Sequence, residues 1–139
     1  MNTIKDATLA ANTLRPFISK NQLSVIGSLC RGEEGQFFKD KLVEMAEIVS
    51  TMPVTYGQDG LGDQAIAYLH YFRSGMDFYI TEKDSDPDGE GQTQAYGSAS
   101  LGYGAELGYI SIKELTENNI ELDLYFHPVT LAALKQKAA

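Results

Sequence analysis

The hydrophobic period changes part-way along the chain, and this constrains the fold more than any other feature. From Glu33 to Thr51 the apolar residues Phe37, Phe38, Leu42, Met45, Ile48 and Val49 recur at three- and four-residue steps, while Glu34, Asp40, Lys41, Glu44 and Glu47 fall mostly between them, the pattern of an amphipathic helix. Glu33 and Glu34 are expected in its first turn, where the helix dipole favours acids, and Pro53 lies just beyond its end. Residues 65–73 and 76–82 are instead aromatic and β-branched with a period of two, and Ser74 and Gly75 between them predict a tight hairpin. Met76, Phe78 and Ile80 would share one face of the second strand, and Asp77, Tyr79 and Thr81 the other. Helices followed by strands predict an α+β domain.

The remaining elements fit that frame. Ser19 is placed to cap a helix over 21–31 that carries Leu23, Ile26, Leu29 and Cys30 on one stripe, with Gly32 to end it. The glycine-rich run at 54–64 is a turn-rich connection. Residues 92–100 and 107–111 are expected as further strands. Ser111 and Glu114 have the spacing of a capping box for a helix over 113–117, which Asn118 and Asn119 would close. Strict alternation from Glu121 to Phe126 predicts a half-buried strand ended by His127 and Pro128, and a last short helix is expected over 129–137. The expected architecture is one domain over 1–139. Its helical part, 1–53, packs on a mostly antiparallel sheet of four to five strands within 65–139, with short C-terminal helices.

Charge and cysteine content narrow the function classes. Nineteen acidic residues against eleven basic ones give a formal charge of −8 in 139 residues, which disfavours a surface that tracks phosphates, so direct nucleic-acid binding is not expected. The charge is uneven: residues 1–31 carry four basic residues and one acid, leaving −11 on the rest. Cys30 is the single cysteine, so neither an intrachain disulfide nor a cysteine-rich zinc site is available, and a catalytic thiol at the end of an apolar stripe is disfavoured against a small buried hydrophobe. No secretory signal and no run of about 18 apolar residues is visible, so a cytoplasmic chain without a membrane span is expected.

Several groups are candidates for chemistry or binding. Asp84-Ser85-Asp86-Pro87-Asp88-Gly89 places acids at positions one, three and five and glycine at six, as EF-hand calcium loops do, but position twelve is Ala95 and the flanks are strands. A solvated hairpin tip is the first reading, and a weak Ca²⁺ site at Asp84, Asp86 and Asp88 the second. Glu82 and Glu106 at strand ends, with His70, are the candidates for a carboxylate-dependent hydrolase or nucleotide-modifying enzyme. His70 and His127 are otherwise structural or surface histidines, and no cofactor is implied. Gly97, Gly102, Gly104 and Gly108 fit no nucleotide fingerprint and are expected at bulges and turns. Tyr79, Tyr96, Tyr103 and Tyr109 would form an aromatic platform if they gathered on one exposed sheet face.

The run 78–84, the element Glu106-Leu107-Gly108-Tyr109 and the strand Leu122-Asp123-Leu124-Tyr125-Phe126 occur in the order seen in a family of small bacterial proteins of unknown function carried by plasmids, integrative elements and phages. The chain resembles that family over residues 70–134. Phe78, Tyr79, Thr81 and Glu82 match its hairpin. The resemblance implies a mobile-element accessory protein that acts by binding partners. The leading expectation is therefore a non-enzymatic acidic module that engages a protein with a basic surface through its sheet face and the acidic loop at Asp84, Asp86, Asp88 and Glu90. An anti-defence protein that mimics phosphate charge is one version of it.

Overall fold

The computed structural model describes residues 1–85 and 91–138. Three helices come first: α1 (Ile4–Leu14), α2 (Lys20–Leu29) and α3 (Gly35–Thr51), with a 3-10 turn at Arg15–Phe17. They are followed by β1 (Ile66–Ala67), β2 (Leu69–Arg73), β3 (Met76–Glu82), β4 (Ala95–Ser100), β5 (Ala105–Ile110), α4 (Ile112–Glu117), β6 (Glu121–Leu122), β7 (Val129–Thr130) and α5 (Leu131–Ala138). The fold is α+β, as the change of period predicts. Among the described residues no helix is long and apolar enough to cross a membrane.

The helix starts are set by local chemistry. Ser19 caps α2 as expected, its hydroxyl accepting from the N–H of Gln22 at 3.1 Å. Within the helical part expected over 1–53, the first helix opens with a full capping box: Asp6 N–H donates to the Thr3 hydroxyl, and Thr3 N–H to the Asp6 carboxylate. α3 begins two residues later than expected, so Glu33 and Glu34 precede its first turn rather than occupy it. Gly35 is the reason: a Cβ there would lie 2.2 Å from the carbonyl oxygen of Cys30, and only glycine lets α3 start against the end of α2.

Among the described residues five strands form an antiparallel sheet in the order β5-β4-β3-β2-β6. Ser74 and Gly75, both at positive φ, make the β2–β3 turn. One face meets the helices. Leu69, Tyr71, Ile80, Ala95, Ile110 and Leu122 are buried there in one cluster with Leu14, Ile26, Leu42, Met45 and Val49. The outer face carries a smaller layer made of the β1–β7 ribbon and α5, where Ala65, Ala67 and Leu131 are buried against Tyr79 and Phe126.

Two expected strands are shorter than their hydrophobic patterns. The run 65–73 breaks at Tyr68, so that Ile66 and Ala67 pair with β7 while β2 pairs with β3 and β6. The alternating run 121–126 pairs only at Glu121 and Leu122. Asp123 ends it: its N–H donates to the His70 carbonyl, and its carboxylate accepts from the N–H of Tyr125, an Asx turn that redirects the chain. Lys41, expected among the solvated positions of α3, is instead buried, its ammonium lying over the rings of Phe37 and Tyr125 and 3.3 Å from Glu44.

Candidate functional site: a tyrosine cleft with a buried carboxylate

The cleft is built by one irregularity in β3. Alternation alone would put Glu82 on the helix side with Ile80. Between Ile80 and Glu82, however, the register against β4 slips by one residue: Ile80 pairs with Gly97 and Glu82 with the next residue back, Tyr96. This β-bulge turns Glu82 to the outer face, beside Tyr96. Gly97 makes it possible, since a Cβ at that position would lie 2.0 Å from the carbonyl oxygen of Tyr79.

The segment after α3 forms the opposite wall. Thr55 N–H donates to the Lys83 carbonyl at 2.8 Å and Lys83 N–H to the Pro53 carbonyl at 2.9 Å, while the Lys83 ammonium caps α3 through the carbonyl of Val49 at 2.6 Å. Gln58 pins the other end of this segment: its amide donates to the carbonyls of Ile66 and Thr81, both at 2.9 Å, and accepts from the N–H of Ile66 at 2.7 Å. Tyr56 is held between these anchors at φ +75°, an uncommon conformation for a bulky residue.

Between the walls lies a cleft of about 460 Å³. Tyr56, Tyr96 and Tyr109 line it, with Glu82 and Asp59 as its acids and Thr81, Ala65, Leu107 and Leu131 among the rest. The Tyr56 and Tyr109 hydroxyls are 2.6 Å apart, and the Tyr96 and Tyr109 rings meet edge to face at 5.6 Å and 86°. The hydrogen bond to Tyr56 and burial both raise the Tyr109 phenol above its ordinary pKa. Glu82 is 4% exposed; the Thr81 hydroxyl donates to its carboxylate, and among the described residues no lysine, arginine or histidine pairs with it or lines the cleft.

The expected candidate residues are dispersed. Tyr96 and Tyr109 meet, joined by Tyr56 from a segment whose glycines had marked it only as a connection. Tyr79 belongs elsewhere: its ring stacks on His70 at 4.5 Å and 8°, beside Phe126, and burial followed by Asp77 and Asp123 raises its phenol pKa. Tyr103 stands 85% exposed in the β4–β5 turn, between Gly102 and Gly104 at positive φ. The four-tyrosine platform therefore reduces to Tyr96 and Tyr109, because the outer layer covers Tyr79 and the hairpin carries Tyr103 past the sheet.

The carboxylate–histidine set does not converge. Glu106 pairs with Ala99 on the helix-side face of the edge strand and is exposed, opposite to Glu82. His70 is on the outer face but both ring nitrogens are occupied, Nδ1 by Asp123 at 2.9 Å and Nε2 by Asp77 at 2.7 Å. His127 is a surface residue, 3.7 Å from Glu44.

Asp84 is not at a solvated tip. It is buried, its carboxylate accepting from the Gln94 N–H at 3.0 Å and its own N–H donating to Gln92, so it closes the neck of the loop. Asp86, Asp88 and Glu90, the other loop candidates, lie outside the described residues. Among the described residues no group of three His, Cys, Asp or Glu side chains is placed to hold a metal ion. Cys30 is buried at the end of α2, and burial pushes its thiol pKa up, away from the thiolate a nucleophile needs.

Comparison with family models, with curated proteins and with solved structures finds no match to this chain.

Proposed function

We propose that the chain is a non-enzymatic binding module that engages a protein partner whose surface is basic, and that the cleft between the 53–65 segment and the outer face of β3–β5 is its working surface. One observation carries this reading: Glu82 is withdrawn from water under a cluster of tyrosines, with a single hydroxyl donor and no cation among the described residues. A buried carboxylate is costly unless a cation or several donors attend it, and an incoming basic group would offset that cost. Tyrosines beside it supply rigid contact area of the kind enriched at protein interfaces. The net charge of −8 favours encounter with a basic partner. The resemblance of residues 70–134 to a mobile-element family supports an accessory role by binding. The enzyme reading is disfavoured by the separation of Glu106 from Glu82 and by the occupied nitrogens of His70.

The test is a titration of ¹⁵N-labelled protein with a short peptide of lysine, arginine and glycine at physiological ionic strength. Shift changes concentrated at Tyr56, Glu82, Tyr96, Leu107 and Tyr109 are expected. Changes spread over the acids of α3, or none, would overturn the reading.

A further inference from the structure

A basic partner can offer the cleft two kinds of side chain, a compact ammonium or a planar guanidinium. We infer that it is a pocket for a lysine-type alkylammonium head, with Glu82 as counter-ion and Tyr96 and Tyr109 as walls; this rests on the binding reading above and names the group recognised.

The geometry of the carboxylate and of the rings carries the choice. A guanidinium is planar and binds best where both carboxylate oxygens face its fork, or where it lies flat on one ring. In Glu82 one oxygen, Oε2, already accepts from the Thr81 hydroxyl, so the carboxylate does not present a free pair. The Tyr96 and Tyr109 rings stand at 86° and form a corner rather than a slot. A compact tetrahedral ammonium fits a corner, where it meets a carboxylate oxygen and two aromatic surfaces, and its three N–H groups need no common plane. The apolar lining from Ala65, Leu107 and Leu131 suits the methylene stem behind such a head. Tyr56 keeps the corner in shape by holding the Tyr109 hydroxyl at 2.6 Å.

The experiment titrates ¹⁵N-labelled protein with N-acetyl-lysine methylamide and, separately, with N-acetyl-arginine methylamide. The lysine probe is expected to give saturable shifts at Glu82, Tyr96 and Tyr109, and the arginine probe to bind more weakly. Glu82→Gln keeps the size and removes the charge, and should weaken lysine binding roughly tenfold. Tyr109→Ala, at a residue 55% exposed, should weaken it by a factor of roughly three to ten. No saturable shift with the lysine probe up to its solubility limit, equal or tighter arginine binding, or unchanged lysine affinity in a folded Glu82→Gln protein would each overturn the inference. Should Glu82→Gln fail to fold, Tyr109→Ala decides, and unchanged affinity there overturns it. If the basic peptide still maps to the cleft while the lysine probe fails, the ammonium pocket falls and the binding reading stands. If the peptide also fails to map there, both fall.

Discussion

The side chain of Gln22 pairs with the backbone of Leu122 as a neighbouring strand would: Nε2 donates to the Leu122 carbonyl at 2.7 Å, and the Leu122 N–H donates to Oε1 at 2.9 Å. One amide thus closes the outer edge of β6 and ties α2 to the sheet across a hundred residues of sequence. Gln58 serves β1 and β3 in the same way. Replacing Gln22 by leucine strands a partly buried donor and acceptor, and should cost about 1–3 kcal/mol. Chemical denaturation would show this as a lower midpoint at unchanged slope, and an effect within error would mean that water replaces the amide fully.

Acid should loosen α1 first. The Thr3 N–H, then its hydroxyl, hold the Asp6 carboxyl below its usual range, and the Gln36 and Asn2 amides do the same for Asp40. A depressed native pKa contributes stability that is present above the unfolded carboxylate value and is lost as the pH falls through the native one. The protection of α1 amides, taken relative to their intrinsic exchange rate at each pH, should therefore fall in and below the ordinary carboxylate range before that of the sheet amides. Asp6→Asn and Asp40→Asn should each flatten that response, and identical pH profiles in the variants and the parent would refute the assignment.

Tyr71 governs the alkaline side. Burial raises its phenol far above the ordinary range, and its hydroxyl donates to the carbonyl of Phe17, joining β2 to the turn after α1. A raised native pKa means stability that is complete below the unfolded tyrosine value and is lost as the pH climbs beyond it. Spectrophotometric titration should show Tyr71 ionising only with loss of the fold. Tyr71→Phe should cost about 1–2 kcal/mol at neutral pH by stranding the Phe17 carbonyl, while weakening the alkaline dependence.

What was legible in the sequence follows from which forces are local. Helical spacing in α3, the Ser19 cap and the Ser74-Gly75 hairpin are short-range effects, and they stand where the residues put them. The end of β6 was not legible, because Asp123 competes for backbone groups that alternation assigns to a strand, and its partner His70 is 53 residues away; nor was the break at Tyr68, where the chain changes pairing partner from β7 to β3. The cleft was half legible. Tyr96, Tyr109 and Glu82 stood out as residues, but the bulge that unites them depends on a contact between Gly97 and Tyr79 across two strands, which no linear pattern encodes. Tyr56 and Gln58 were hidden in a glycine-rich segment, where a tyrosine and a glutamine among turn formers were the only signal.

Two glycines in β4 and β5 make the dependence of the cleft on that bulge testable. Gly97 and Gly108 face each other in the β4–β5 register, yet their surroundings differ completely. A Cβ at Gly97 would lie 2.0 Å from the carbonyl oxygen of Tyr79, whereas nothing lies within 4 Å of one at Gly108. Gly97→Ala should cost upward of about 4 kcal/mol or force the strand to re-register, since the atom in the way is backbone and cannot swing aside. Gly108→Ala should be neutral or stabilising by up to about 1 kcal/mol, because a strand glycine is entropically costly in the folded state. If Gly97→Ala still folds, removal of the bulge returns Glu82 to the helix side, and binding of the lysine probe should disappear while Gly108→Ala retains it. Equal stability of the two variants by thermal denaturation would show that the bulge tolerates a side chain. The link from Gly97 through the bulge to Glu82 would then be broken.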